Sequence, residues 1–371
     1  MKICFWGDVD RALNGKTVGG AELQMALLAR ALAIFGMQVV IVDPEADKSY
    51  TTQEGIEVVS LPQWNTGIKG LRMFLTRIPL MWKLLYKQHA DFYYVRTESY
   101  LHLIPYLVAK KLKSRFIHAI AHDLDLQTLK EKYRHKYRYD FNLIKYLSLQ
   151  LPNDLMLYYL LKWSDFVLLQ HAGQVVQGKI FRGKVCVFPN LIAFDTYPRH
   201  EKANGGYYIH VGTLTVLKGV DNLLQLIELL SRDIQVVIVG RTGDKTAQAI
   251  VEKLQEYPNV TYRGALDHQR TIHAIAGAAA LISTSNAEGF PNVFLEAWAT
   301  GTPVVSLKVD PGHVIQDYRL GVYCNDDLLK MKETLEAGAS TQVDPSNFIT
   351  YLRQFHDFTT AAERFVNLIR D

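Results

Sequence analysis

Apolar residues in this chain come in short unbroken runs, separated by longer stretches in which they recur every three or four positions. "KICFWG" (2–7), "QVVIVD" (38–43), "YYIHVG" (207–212) and "QVVIVG" (235–240) are runs of the first kind. Continuous apolar runs of this length read as parallel strands buried on both faces. "GAELQMALLARALAIFG" (20–36) and "KGVDNLLQLIELLSRD" (218–233) have the helical period. In the first of these, period 3.6 fits Leu23, Ala26, Leu27, Arg30, Ala31 and Ile34 better than period 2. The order strand, glycine turn, helix, strand therefore occurs twice, about two hundred residues apart. Each occurrence opens a parallel sheet.

Further strand candidates follow in both halves: "DFYYVR" (91–96), "RFIHAIAH" (115–122), "DFVLLQ" (165–170), "KVCVFPN" (184–190), "VTYRG" (260–264), "ALISTS" (280–285) and "PVVSL" (303–307). "DTYPRHEKANGG" (195–206) is polar, with Pro and Gly, and fits an interdomain linker. The pattern predicts an α/β chain with two Rossmann-like domains facing across a cleft, residues 1–198 and 199–371. Open α/β sheets bind ligands at strand carboxyl ends, so the chemistry is expected there. Residues 127–162 interrupt the pattern with a predicted helical insertion of mixed Lys, Arg, Tyr and Leu.

A chain of 371 residues suits two domains better than one. The net charge of +4 is unevenly spread: 25 Lys/Arg against 17 Asp/Glu give +8 over 1–198, and 16 against 20 give −4 over 199–371. Cys4, Cys186 and Cys324 are too scattered for a disulfide framework or metal cluster. The start lacks the apolar length of a signal peptide, and no apolar run reaches the roughly 18 residues of a membrane span. A cytoplasmic location is expected. Basic-aromatic stretches can rest on anionic bilayers. Lys130, Lys132, Arg134, Lys136 and Arg138, with the tyrosines and leucines after them, form a candidate membrane or acceptor contact. An ordinary solvated cap is the alternative.

Candidate chemistry concentrates in "AEGFPNVFLEAWATGTPVV" (287–305). A strand ends near Ser285, and a helix is predicted from Pro291 to just before Gly301. The backbone N–H groups of Asn292, Val293 and Phe294 would then form an anion site. Glu288 precedes the helix and Glu296 lies one turn inside. On a continuous helix eight residues rise about 12 Å. A glycosidase pair needs about 5–9.5 Å. A better division gives one acid to sugar hydroxyls and one to a ribose, with a diphosphate between.

"EGFPNVFLEAWATGTPVV" resembles the Glu-x7-Glu signature of retaining GT-B glycosyltransferases, in particular family four. "VGGAELQMALLARAL", "VFPN" (187–190) and "HVGTLTVLKGVDNLLQLIELL" resemble other segments of that family, so the likeness covers almost the whole chain. The resemblance implies that Glu288 holds donor-sugar hydroxyls. Backbone from Gly289 and Phe290 through Pro291, Asn292 and Val293 helps hold sugar and diphosphate. Glu296 holds the ribose, and Lys218 neutralises the leaving diphosphate, where charge grows during transfer. Gly212 belongs to the same donor loop. Where the family commonly has Arg this chain has Thr213, and Arg241 in the next strand-end loop is the candidate substitute.

His122, closing "RFIHAIAH", matches a family histidine near the reacting carbon. His118 reads as a core histidine. Gly19 and Gly20 either let a phosphate approach the backbone or simply turn into the helix, where Glu22 complements the dipole. The last helix, about 358–371, is a candidate to pack back on the first domain. The implied activity is retaining transfer from a UDP- or GDP-linked sugar to an acceptor hydroxyl, without metal or cofactor. The implied setting is lipopolysaccharide, capsule or exopolysaccharide assembly on a sugar or lipid-linked acceptor at the inner membrane face, with no nucleic acid. A nucleotide-sugar epimerase and a non-catalytic nucleotide-sugar scaffold are the rival readings.

Overall fold

A computed structural model describes the chain except for residues 17–18, 63, 69–70, 128–131, 133–142, 178–180, 199–205, 339–342 and 371. It divides into two units. The first comprises Met1–Leu129, Asp140–Leu191 and Phe358–Asp371, and the second Ile192–Asp357, with which Lys132 also groups. The division falls at Leu191/Ile192 rather than at the expected 198/199. Leu191 and Ile192 are both buried, Leu191 in the core of the first unit and Ile192 in that of the second. Packing sets the boundary, and it precedes the polar stretch.

The strands of the first unit are β1 (Lys2–Trp6), β2 (Gln38–Asp43), β3 (Tyr50–Thr51), β4 (Glu57–Ser60), β5 (Phe92–Arg96), β6 (Arg115–Ala119), β7 (Phe166–Leu169) and β8 (Lys184–Val187). They pair in the order β3-β4-β2-β1-β5-β6-β7-β8. All pairs are parallel except β3 with β4. Helices of eight or more residues are α1 (Gly20–Ile34), α2 (Ile78–Lys87), α3 (Leu103–Leu112) and α4 (Leu151–Trp163). Side chains alternate across each strand. Ile3, Phe5, Val39 and Ile41 therefore pack beneath α1, while Cys4, Trp6, Val40 and Val42 pack beneath α2, α3 and α4.

The helix α1 forms as expected; Ala26 and Ala31 of the expected positions are buried, but the buried face is wider and shifted. Met25, Leu28, Ala29 and Leu32 enter the core, whereas Ile34 is 67% exposed. The helix is apolar nearly all round, so periodicity alone does not select the face that meets the sheet.

The second unit contains β9 (Tyr207–Val211), β10 (Gln235–Val239), β11 (Val260–Tyr262), β12 (Leu281–Ser283), β13 (Val304–Ser306) and β14 (Gly321–Tyr323), ordered β11-β10-β9-β12-β13-β14. All its pairs are parallel. Helices α5 (Val220–Leu229), α6 (Lys245–Leu254) and α9 (Leu328–Glu336) cover one face. The helices α7 (His268–Ala276), α8 (Asn292–Ala299) and α10 (Ser346–Phe355) cover the other, around the fully buried Trp298. The chain then returns to the first unit as α11 (Ala361–Arg370). There Phe365 packs against Tyr94 and Phe188.

Each sheet reverses its strand order once, between β1 and β5 in the first unit and between β9 and β12 in the second. Adjacent strand-end loops diverge at such a point and leave a crevice for ligands.

Candidate functional site

In the second unit, the loops after β9 and β12 flank the reversal and are laced together. Gly219 has φ of +69°, and the Thr284 carbonyl oxygen occupies the place where a Cβ would stand, so only glycine fits. Thr284 Oγ1 donates to the Gly219 carbonyl (2.9 Å), Asn286 Nδ2 to the Val216 carbonyl (2.7 Å), and Asn222 Nδ2 to the Thr284 carbonyl (3.0 Å). Lys308 Nζ donates to Asn286 Oδ1 at 3.0 Å. This lacing brings Lys218 Nζ to 2.5 Å from both carboxylate oxygens of Glu288. Ser285 Oγ donates to Glu288 Oε1 at 3.1 Å. The Lys218 side chain is one third exposed and that of Glu288 12% exposed. The pair thus presents a cation and an acid at the carboxyl ends of the central strands.

The helix α8 starts at Asn292, one residue later than expected, with Pro291 extended as its N-cap. The Phe294 N–H already donates to the Pro291 carbonyl at 3.1 Å, so it is not available to an anion. The Phe290 ring is buried against His356 and Trp298. Glu296 points from α8 toward His268, whose Nδ1 is 3.7 Å from Oε1. Burial pushes the Glu296 carboxyl up to about 8 and the His268 imidazole down. Tyr197 stands edge-on to His268, and its hydroxyl is raised by burial and then by the Glu296 charge.

Gly212 and Thr213 lead the β9 loop. Leu214 N donates to the Arg241 carbonyl at 2.8 Å, and Gly243 N to the Leu214 carbonyl at 2.8 Å. The loop carrying Arg241 therefore runs alongside the one carrying Thr213, and the Arg241 side chain is exposed. The buried His210 on β9 is driven down to about 4, by burial first.

In the first unit, His122 caps the turn Asp123–Leu126. Its Nδ1 accepts from Leu124 N (3.1 Å), and its own N–H donates to Asp125 Oδ2 (3.0 Å). A neutral imidazole that accepts at Nδ1 carries its proton on Nε2. That Nε2 is buried without a partner among the described residues. His118 is 1% exposed, driven down to about 4 by burial, and paired edge-on with His102. It is a core histidine. Gly19 is the N-cap of α1, and the Glu22 carboxylate folds back over it. Asp8 beside it is pushed up to about 6 by burial and by Asp43, Glu45 and Glu22.

Of the basic cluster, Lys130, Arg134, Lys136 and Arg138 lie outside the described residues. Lys132 is 2% exposed, which corrects its expected role as a surface contact: a buried ammonium does not meet a bilayer. No helix among the described residues is long and apolar enough to cross a membrane.

Ser285, Asn286, Asn222, Tyr197 and His268 join the site without having been singled out from sequence. The "STSN" run at the end of β12 was the available signal for the first two, since polar residues at a strand's carboxyl end face ligands. The approach of Tyr197 and His268 to Glu296 depends on tertiary packing and left no mark in local sequence.

Two parallel α/β units with these switch-point loops define the GT-B class of fold. Residues 206–337 match the family model described as "Glycosyl transferases group 1". The chain is 24% identical over 381 aligned positions to a component of human phosphatidylinositol N-acetylglucosaminyltransferase, covering 94% of this chain and 72% of that protein. Among solved structures it resembles sucrose-phosphate synthase from Thermosynechococcus elongatus (TM-score 0.77, 16% identity, covering 100% of this chain and 98% of that one). It also resembles Anabaena HepE in complex with UDP-glucose (0.69, 17%, 100% and 99%). A third likeness is to the apo lipopolysaccharide outer core galactosyltransferase WaaB (0.65, 18%, 100% and 99%). The structural likenesses show the GT-B fold. The family-model match and the human relative support glycosyl transfer.

Proposed function

We propose that the protein is a retaining, metal-independent glycosyltransferase. It takes a sugar from a nucleotide diphosphate, UDP or GDP, and places it on an acceptor hydroxyl during surface-polysaccharide assembly. The acceptor is lipid-linked, and the enzyme works peripherally at the inner membrane face. The observation that carries the reading is the Lys218–Glu288 pair, held at a strand reversal by two laced loops. When donor binds, Lys218 turns to the diphosphate and Glu288 to the sugar hydroxyls. A cation placed where phosphate charge grows lowers the barrier more than it stabilises the bound donor. Glu296, at the first turns of α8, accepts the ribose hydroxyls. His122, with a proton on Nε2, donates to the acceptor rather than removing a proton in that tautomer.

UDP and UDP-glucose occupy the HepE structures that this chain resembles, which supports a UDP-linked donor. The names of the human relative and of WaaB support a lipid or lipopolysaccharide acceptor. The test is a thermal-shift panel of UDP, GDP and ADP, followed by labelled donors with extracted lipid-linked acceptors. A donor that stabilises and yields a product with retained anomeric configuration supports the reading. Free epimerised sugar as the sole product supports an epimerase instead. Donor binding without turnover on any acceptor leaves a scaffold.

A further inference from the structure

Between Glu57 and Asp91 the sequence holds no acidic residue and five basic ones: Lys69, Arg72, Arg77, Lys83 and Lys87. Within that stretch Ile68, Leu71, Phe74 and Leu75 are 67%, 52%, 69% and 67% exposed. Their spacing places them on one side of a helical segment. Backbone bonds run from Leu71 N and Arg72 N to the Ile68 carbonyl, and from Phe74 N and Leu75 N to the Leu71 carbonyl. The base of the segment is pinned from inside. Arg77 lies over the buried Trp64 ring at 4.6 Å and donates from Nε to the Trp64 carbonyl (2.9 Å) and from Nη2 to Asn65 Oδ1 (2.8 Å). The fold thus exposes four large apolar side chains to water.

The segment follows β4 and leads into α2, so it stands at the carboxyl end of the first sheet, the end that bears His122. A second exposed apolar set leads into α4, which packs on the same side of the sheet as α2: Leu143 (58%), Ile144 (79%) and Leu147 (54%). Exposed apolar side chains with Arg72 among them and Lys83 exposed on the helix that follows, in a stretch of sequence without acids, match an anionic bilayer surface. The apolar groups enter the headgroup boundary by about 5–10 Å while the cations meet the lipid phosphates.

We propose that Ile68 and residues 71–83 form a membrane-docking element for anionic phospholipid, in which Ile68, Leu71, Phe74 and Leu75 insert and Arg72 and Lys83 meet the headgroups. The inference rests on the peripheral location proposed above, and supplies the surface that makes it. Docking at this end brings an acceptor hydroxyl carried on a lipid to the His122 end of the first unit.

The test is flotation of the full-length protein with vesicles of phosphatidylcholine alone and of equal parts phosphatidylcholine and phosphatidylglycerol. The expected result is at least tenfold stronger partitioning onto the anionic vesicles, weakened by salt. Phe74→Ser/Leu75→Ser should lower partitioning at least tenfold with an unchanged melting temperature, because these side chains support no core. Arg72→Glu/Lys83→Glu should remove the preference for anionic lipid. Absence of wild-type binding overturns the proposal. So does undiminished binding by the Phe74→Ser/Leu75→Ser variant, which would move the contact elsewhere. A wild-type dimer that becomes monomeric in this variant also overturns it, making the face an interface between copies. Donor binding, measured without vesicles, is independent of these outcomes, so failure of docking and failure of the glycosyltransferase reading are told apart.

Discussion

Lys218 and Glu288, seventy residues apart in sequence, meet through two hydrogen bonds of 2.5 Å. In this arrangement each neutralises the other. Donor binding has to part them, so the pair holds the cation ready in a defined place. Lys218→Ala should lower kcat/KM by at least tenfold, about 1.4 kcal/mol of transition-state stabilisation. A Lys218→Ala/Glu288→Ala double variant measures their coupling. Normal rates in Lys218→Ala would remove this site from the chemistry.

Glu296 should make nucleotide binding depend on pH. Its carboxyl stands at about 8 in the free protein. Accepting two ribose hydroxyls requires the charged form, so binding below that pH releases a proton. Affinity should rise with pH by up to about tenfold per unit until near 8 and then level off. Calorimetry in buffers of different ionisation enthalpy reads the proton directly. Glu296→Gln should abolish the slope. The same raised value means that folding takes up a proton, so this group's contribution to stability is greatest below its ordinary value of 4.5 and is lost as pH rises through about 8. Glu296→Gln should therefore melt relatively higher than the parent at pH 8 than at pH 5.

His122 has two separable duties, a cap through Nδ1 and a free N–H at Nε2. Asparagine is also a good N-cap. His122→Asn should hold its melting temperature but lose turnover, whereas His122→Ala should lose about 1 kcal/mol of stability as well. Equal turnover in His122→Asn and wild type would reduce the residue to a cap.

Gly219→Ala should destabilise the second unit by at least about 2 kcal/mol, from the left-handed backbone and the displaced Thr284 carbonyl. Urea denaturation gives the number. A mild effect would mean that the loops after β9 and β12 adjust freely.

Arg241→Ala tests whether the exposed guanidinium replaces the cation missing at Thr213. Weaker UDP binding, by up to about fivefold for an exposed charge, is expected by titration. Unchanged affinity would show that Thr213 is left uncompensated.

The sequence was most informative where burial is continuous. The paired "QVVIV" runs became β2 and β10, each against the first strand of its sheet. The strands β3, β4 and β14 escaped notice because two residues, four with alternating burial, or three beginning with glycine, leave too short a pattern. At the site, Lys218, Glu288, Glu296 and His122 were visible as chemistry-bearing residues in strand-end loops or just inside a helix. Their partners were not. Asn286 joins two loops, and Tyr197 and His268 reach Glu296 from separate elements, so these contacts exist only once the sheet is assembled. The basic cluster misled at Lys132 because charge density alone does not distinguish a surface from a buried ammonium.

The helix α11 completes the core of the first unit, with Phe365, Val366 and Ile369 buried against its sheet. It is made only after Ile192–Asp357, the bulk of the second unit, has been translated. On the ribosome that contiguous stretch can close its own core early, while the first unit waits with the α11-binding face of its sheet uncovered. The unit synthesised first is thus the one finished last, and a nascent chain stalled before Ala361 would present that apolar face to chaperones.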